Sequence, residues 1–297
     1  MSASSLQRRL IAGAAAGLGA ALLITSAVAQ DGRPRLGEPP PERRAAERRA
    51  TEGGEVDPQA AAVVRRMSEH LGSLRAFRVT ADSTTEVVLD SGEKIQMLAT
   101  SNVALQRPNK LRSERRGPLT DVLFMYDGDR ITLHGRGKNL YAQMDAPNDL
   151  DAALDFARER LDIEAPGADL LYANAYEGLM EGVRSGRYVG LAEVGGVPCE
   201  HVAFRGEDVD WQLWVERGER PLPRRYVIVS RDVQGSPEFA VDLRDWDVGP
   251  TAVAASDFVF TPPRGAREID FLAEAPRALA RRELQREGER GREGAGS

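Results

Sequence analysis

The sequence predicts an α+β fold: one large, curved antiparallel sheet, an open half-barrel, with helices packed on its concave face. Three observations predict it. Most of the chain between residues 76 and 243 alternates apolar and polar residues with a period of two. Turn signals separate these runs at hairpin spacing. Helical periodicity is confined to one segment before the strands and one insertion among them, so the strand–helix alternation of a parallel sheet is missing. Antiparallel strands in sequence tend to be neighbours, and so many long strands curl rather than lie flat.

Asp57-Pro58 opens the folded part, with Asp57 as N-cap and Pro58 in the first helical turn. Ala60, Val63, Val64, Met67 and Leu71 then recur at helical spacing, and Gly72 is expected to end the helix. Phe77, Val79 and Ala81 share one parity, with Ser91-Gly92 as the turn before Ile95, Met97, Ala99, Val103 and Leu105. Further strands fall near 111–116, 121–126, 130–134 and 139–144, with Asp127-Gly128 as a hairpin turn. Residues 149–184 break the run: Leu150, Ala153, Leu154, Ala157 and Leu161 give one amphipathic helix. Leu170 to Val183 give a second apolar-faced helical segment after Pro166-Gly167. Strands resume at 188–194 and 200–205 around Gly195-Gly196-Val197-Pro198, then at 209–216, 226–230 and 239–243. Pro221 and Pro223 are expected to stop a sheet edge from pairing.

The ends differ in character. Arg8-Arg9 precede an uncharged apolar run from Leu10 to Ile24, too short for the roughly 20 residues of a membrane span. Ala27-Val28-Ala29 follows, so residues 1–29 read as a signal peptide cleaved after Ala29, and the protein as periplasmic with no membrane span left. Residues 30–56, with Pro39-Pro40-Pro41 and repeated Glu-Arg-Arg, read as a disordered linker. Residues 57–271 form the half-barrel domain, and 272–297 a charged, disordered tail. A net charge of -6 without a basic face argues against nucleic acid as partner. The single Cys199 cannot form an internal disulfide and reads as a buried small hydrophobe.

Little in the chain speaks of catalysis. The three histidines, His70, His134 and His201, stand in no metal-ligand spacing. Cys199 and His201 share a strand face, which does not by itself make a nucleophile and base. Asp127 and Asp129 flank a turn glycine and could hold a cation, although turn chemistry explains them equally well. No catalytic residue, metal site or cofactor is assigned. What remains is a set of large apolar side chains on the strands: Phe77, Met97, Phe124, Tyr126 and Trp211 are candidates to line a ligand groove. Packing in an ordinary core is the competing reading of the same residues.

Residues 196–204 (Gly-Val-Pro-Cys-Glu-His-Val-Ala-Phe), 210–215 (Asp-Trp-Gln-Leu-Trp-Val), Pro221 to Tyr226, Trp246 and Phe258 to Pro263 occur in an order that resembles the domain-of-unknown-function family 2092 of predicted periplasmic proteins. That family is similar in fold to the lipoprotein-localisation factors LolA and LolB. The resemblance implies a half-barrel whose cavity takes acyl chains, with a lipid or a lipoprotein acyl chain as partner. It supplies no catalytic residue. An interaction or sensor module, and an exported hydrolase, are the alternative functions.

Overall fold

The computed structural model describes residues 54–118, 120–163 and 165–271. The expected signal peptide, nearly all of the linker and the charged tail lie outside the described residues.

The first element, helix α1 (Pro58–Ser73), starts as its sequence dictates. The Asp57 carboxylate accepts the Gln59 backbone N–H at 2.8 Å, and Pro58 takes a position where no donor is needed. Its apolar stripe, Ala60, Val63, Val64, Met67 and Leu71, is buried. Gly72 does not stop the helix, which runs on to Ser73. It serves a close approach instead: a Cβ at this position would stand 2.4 Å from the Ala173 carbonyl oxygen.

Six strands then run as a meander: β1 (Ala76–Val88), β2 (Lys94–Gln106), β3 (Lys110–Arg116), β4 (Asp121–Tyr126), β5 (Arg130–Gly135) and β6 (Leu140–Asp145). The Asp127 carboxylate tightens the β4–β5 turn by accepting the N–H groups of Asp129 and Arg130, while Gly128 takes φ 109°. Helix α2 (Leu150–Arg160), a 3-10 turn (Ala168–Leu171) and helix α3 (Ala175–Met180) follow. A second meander completes the sheet: β7 (Val183–Val194), β8 (Val197–Gly206), β9 (Val209–Glu216), β10 (Pro223–Ser230) and β11 (Glu238–Val248). Gly195 and Gly196 both take positive φ in the two-residue turn between β7 and β8, as a tight hairpin requires.

With a short last strand β12 (Arg267–Glu268), the strand order β12-β6-β5-β4-β3-β2-β1-β11-β10-β9-β8-β7 places the two meanders side by side, joined where β1 pairs antiparallel with β11. Every pairing between these strands is antiparallel except that of β12, which lies parallel to β6, and Val56 adds a single parallel bridge to Gly186 of β7. Laid flat, twelve strands would span about 50 Å. Yet α1 packs against β7, β8 and β9 while sharing one hydrophobic core with Leu105, Leu111, Tyr126 and Ile131 of β2 to β5. A helix is only about 10–12 Å across, so the sheet closes around it as an open half-barrel with the helices inside.

Two further expectations change. The segment from Leu170 to Val183 is not one helix. The Arg107 guanidinium takes the carbonyls of Leu171 and Tyr172 at 2.9 and 3.2 Å, and Asp151 accepts the Ala173 N–H. Those backbone groups are thereby withdrawn from helical bonding, and Asn174 caps a fresh start at Ala175. Pro223 guards no edge either: it is the first residue of the interior strand β10, at a register shift against β9, one of the few positions an interior strand allows proline.

The convex face carries a covering of its own. Residues 249–266 run across the outside of the first meander before pairing as β12. Arg78 donates to the Ala252 carbonyl at 2.6 Å and also bonds Asp257, while Arg112 donates to the Asp257 carbonyl at 3.1 Å. Phe260 meets the rings of His134 and Tyr141 at 5.9 and 5.2 Å. Leu123, Met125 and His134, which face outward, are buried as a result.

Candidate functional site

Strand parity and cross-strand register define the concave wall. Phe77, Val79, Ala81 and Ser83 on β1 stand opposite Leu105, Val103, Ser101 and Ala99 on β2. Ser101 and Val103 in turn face Arg115 and Ser113 on β3. Near the core these residues are large. Farther along β1 and β2 they become small: Ala81, Ser83, Ala99, Ser101. Both strands are 13 residues long and outrun the helix that fills the other half of the half-barrel. Small side chains beneath an incomplete covering leave a cavity of about 380 Å³. That lies within the roughly 300–1,000 Å³ of small-molecule sites.

One wall is β1, β2 and β3, and a second is Phe239, Val241, Leu243 and Trp246 of β11. The segment from Ala165 to Leu171 roofs it. Gly167 takes φ 84° there, so the roof can turn close above Phe239, Val241 and Tyr226. An irregularity in the β1–β11 ladder, where Asp245 takes φ 54°, brings Trp246 against Phe77 at 5.2 Å. The Trp246 indole N–H is satisfied by the Pro223 carbonyl at 3.2 Å, so its ring is free to act as apolar surface. The lining is mainly apolar, with serine and threonine hydroxyls and one cation, Arg115.

The five sequence-predicted lining residues separate. Phe77 and Met97 line the cavity, Phe77 at its buried end and Met97 half-exposed on β2. Phe124 faces inward opposite Ser113, one strand beyond the lining, and packs on the core. Tyr126 is fully buried, its hydroxyl held between the carbonyls of Gly128 and Pro147. Burial, with Asp149 nearby, pushes that hydroxyl up to about 12, so it stays protonated. Trp211 lies in the core, stacked on Phe204 at 4.2 Å and edge-on to Tyr226 at 6.1 Å. Arg115 was hidden in the sequence by its charged neighbours in Arg-Ser-Glu-Arg-Arg. The available signal is parity: Leu111, Ser113 and Arg115 fall on the same face.

The reactive side chains are occupied otherwise. His201 stacks on Trp214 at 4.0 Å and lies 3.0 Å from the Gln212 side-chain oxygen, and burial pushes it below its ordinary value. Burial pushes the Cys199 thiol up, away from the thiolate a nucleophile needs. His134 bonds Asn139 at 3.2 Å. Among the described residues no three His, Cys, Asp or Glu side chains gather as a metal site, and no helix is long and apolar enough to cross a membrane.

Fold and site together define a half-barrel with an apolar cavity on its concave side. The chain belongs to the family of predicted periplasmic proteins DUF2092, whose profile matches residues 60–272. Its place is accordingly the periplasm. No curated protein matches it. Solved structures similar to it include an uncharacterised conserved protein from Thermus thermophilus, at 13% identity over 71% of this chain and 99% of that one, with a TM-score of 0.41. The lipoprotein LppX of Mycobacterium tuberculosis is 15% identical over 64% and 96% of the two chains, with a TM-score of 0.36. A LolA superfamily protein from Nitrosomonas europaea is 11% identical over 68% and 97%, with a TM-score of 0.37.

Proposed function

We propose that this protein binds an apolar ligand, the acyl chain of a lipid or of a lipoprotein, in the concave cavity, and that it does so without catalysing a reaction. The observation that carries this reading is the cavity itself: about 380 Å³ of mainly apolar space between strands that could have been filled with larger side chains. Each buried methylene contributes about 0.8 kcal/mol. Ten of them give roughly 8 kcal/mol before the cost of ordering the chain, the scale of micromolar retention. The engaged His134 and His201 and the buried thiol support a binder over an enzyme. Cleavage after Ala29 would deliver the domain to the periplasm, with a mature N-terminus at Gln30.

Native mass spectrometry after gentle purification tests the reading, together with thermal melting of Met97→Asp. Wild type is expected to carry lipid. The variant is expected to lose it while staying folded, because an unpaired charge in the lining is costly to cover with an acyl chain. Lipid-free wild type, with a variant that only melts earlier, would overturn the carrier reading. A protein partner is favoured by a different observation: β7 is an edge strand whose first half is taken by residues 55–57 at Gly186 and Tyr188, while beyond it, where Val189 and Leu191 are 51% and 64% exposed, the edge is open to strand addition.

A further inference from the structure

Among the described residues, the cavity contains a charge with no carboxylate to balance it. Arg115 lies on its wall, half-buried, and its register partner on β2 is Ser101 and on β4 is Val122. The inward positions around it, Ala81, Ser83, Ala99 and Ser113, are all uncharged. Among the described residues its one side-chain partner is the Ser83 hydroxyl, which accepts from its Nη1 at 3.1 Å while donating to the Ala99 carbonyl. Several other arginines are treated differently. Arg112 and Arg136 converge on Glu114, Arg225 meets Asp242, and Arg244 meets Asp82. All of those pairs sit on the convex face. Guanidinium carries five donors in a planar fork, and Ser83 engages one of them. Burial pushes Arg115 below the usual arginine range with no carboxylate to hold it up, yet the group stays cationic at any physiological pH.

A cation set without a counter-charge into an apolar pocket costs free energy unless a ligand completes it. Building on the acyl-chain reading, we propose that the ligand is an anionic amphiphile, its carboxylate or phosphate head held by Arg115 and its chain laid along the cavity toward Phe77 and Trp246. The hydroxyls of Ser101 and Ser113 line the same cavity and supply weaker donors. Carboxylate and phosphate both match the guanidinium fork, so either head satisfies the site.

The experiment titrates the purified protein by calorimetry with three single-chain probes: oleyl alcohol, oleate and oleoyl lysophosphatidate. The two anions are expected to bind about ten- to a hundred-fold more tightly than the alcohol, the scale of a charge-assisted bond. Whichever anion binds tighter identifies the head as carboxylate or phosphate. Arg115→Met is expected to bring all three to the affinity of the alcohol. It should melt no lower than wild type, because it removes an unpaired buried charge at similar volume. Arg115→Lys is expected to keep a reduced preference, since charge remains and the fork is lost. Equal binding of the three probes to wild type, or an anion preference that survives in Arg115→Met, overturns the assignment and leaves the apolar reading standing. So does an Arg115→Met that melts earlier and loses the three probes alike, because Arg115 would then serve the fold. Failure of all three to bind wild type overturns the acyl-chain reading itself.

Discussion

Trp211→Ala separates core from cavity. The indole is 1% exposed on β9, stacked against Phe204 with ring planes 18° apart and edge-on to Tyr226. Truncation removes the largest buried side chain of the half-barrel and leaves a space that the surrounding strands cannot close, at a cost of about 3–5 kcal/mol. The aromatic pairs, worth about 0.5–1.5 kcal/mol each, fall within that sum. A domain of this size loses roughly 2–4 °C of Tm per kcal/mol, so melting should fall by about 6–20 °C. Total stability is commonly about 5–15 kcal/mol, so the variant should still fold at room temperature. Urea titration followed by far-ultraviolet circular dichroism reads the shift in midpoint. Met97→Ala, at a half-exposed cavity position, is the counterpart: a cost of about 1 kcal/mol, with loss of bound lipid. A Trp211→Ala variant less than about 1 kcal/mol destabilised and stripped of lipid would refute the separation, and would place the indole in the ligand's path.

Burial pushes the Asp169 carboxyl in the roof up to about 6, with Arg158 pulling it partly back. A raised carboxyl favours the folded state most below its unfolded value near 4 and loses that contribution as pH rises through 6. Asp169→Asn should therefore stabilise the protein by roughly 1–3 kcal/mol at pH 8, the difference fading toward pH 4 in paired urea titrations. Gly186→Ala should cost about 1–3 kcal/mol by the same assay, because the new Cβ would stand 2.5 Å from the Phe204 ring. Cys199, 0% exposed and with its thiol pushed up by burial, should resist a thiol reagent in native buffer and react at the rate of unfolding. Fast native labelling would show that the strand it sits on opens locally.

Elements whose cause is local were legible. The period-two runs located every long strand, and Asp57-Pro58, Asp127-Gly128 and Gly195-Gly196 marked turns and a cap by their own backbone chemistry. Features set by distant partners were not. Gly72 reads as a helix stop until the Ala173 carbonyl is seen above it, and the break at Leu171 to Asn174 depends on Arg107, far back in the chain. The crossing of residues 249–266 over the convex face has no apolar period; it is fastened by guanidinium groups reaching its carbonyls. The cavity was half legible for the same reason. Parity puts Phe77, Met97 and Trp211 alike on the inner face, but only the position of α1 decides that Trp211 lies under a helix while Met97 lies under a gap.

That gap follows from the connectivity. β6 and β7 lie near opposite edges of one sheet, so the chain between them must cross a face. It crosses the concave one, and its stretch from Ala165 to Leu171 lies over the β1–β11 junction where the two meanders meet. From β11 to β12 the chain has to cross the first meander again, and it takes the convex face. Two crossings thus clamp the first meander from both sides. Both are bound through side chain to backbone, the inner one from Leu171 onward, whereas its stretch from Ala165 to Leu170 lies over the cavity above small residues. On the proposed acyl-chain reading, the inner crossing is the segment a ligand would pass beneath. It carries Gly167 at its bend and Asp169 with a carboxyl that titrates near 6. Arg115 supplies the one positive group of the wall it faces. Entry of the proposed anionic chain would therefore bring apolar surface to the wall that lacks bulk and a counter-charge to the guanidinium that has none among the described residues, which are the two deficits this half of the sheet displays.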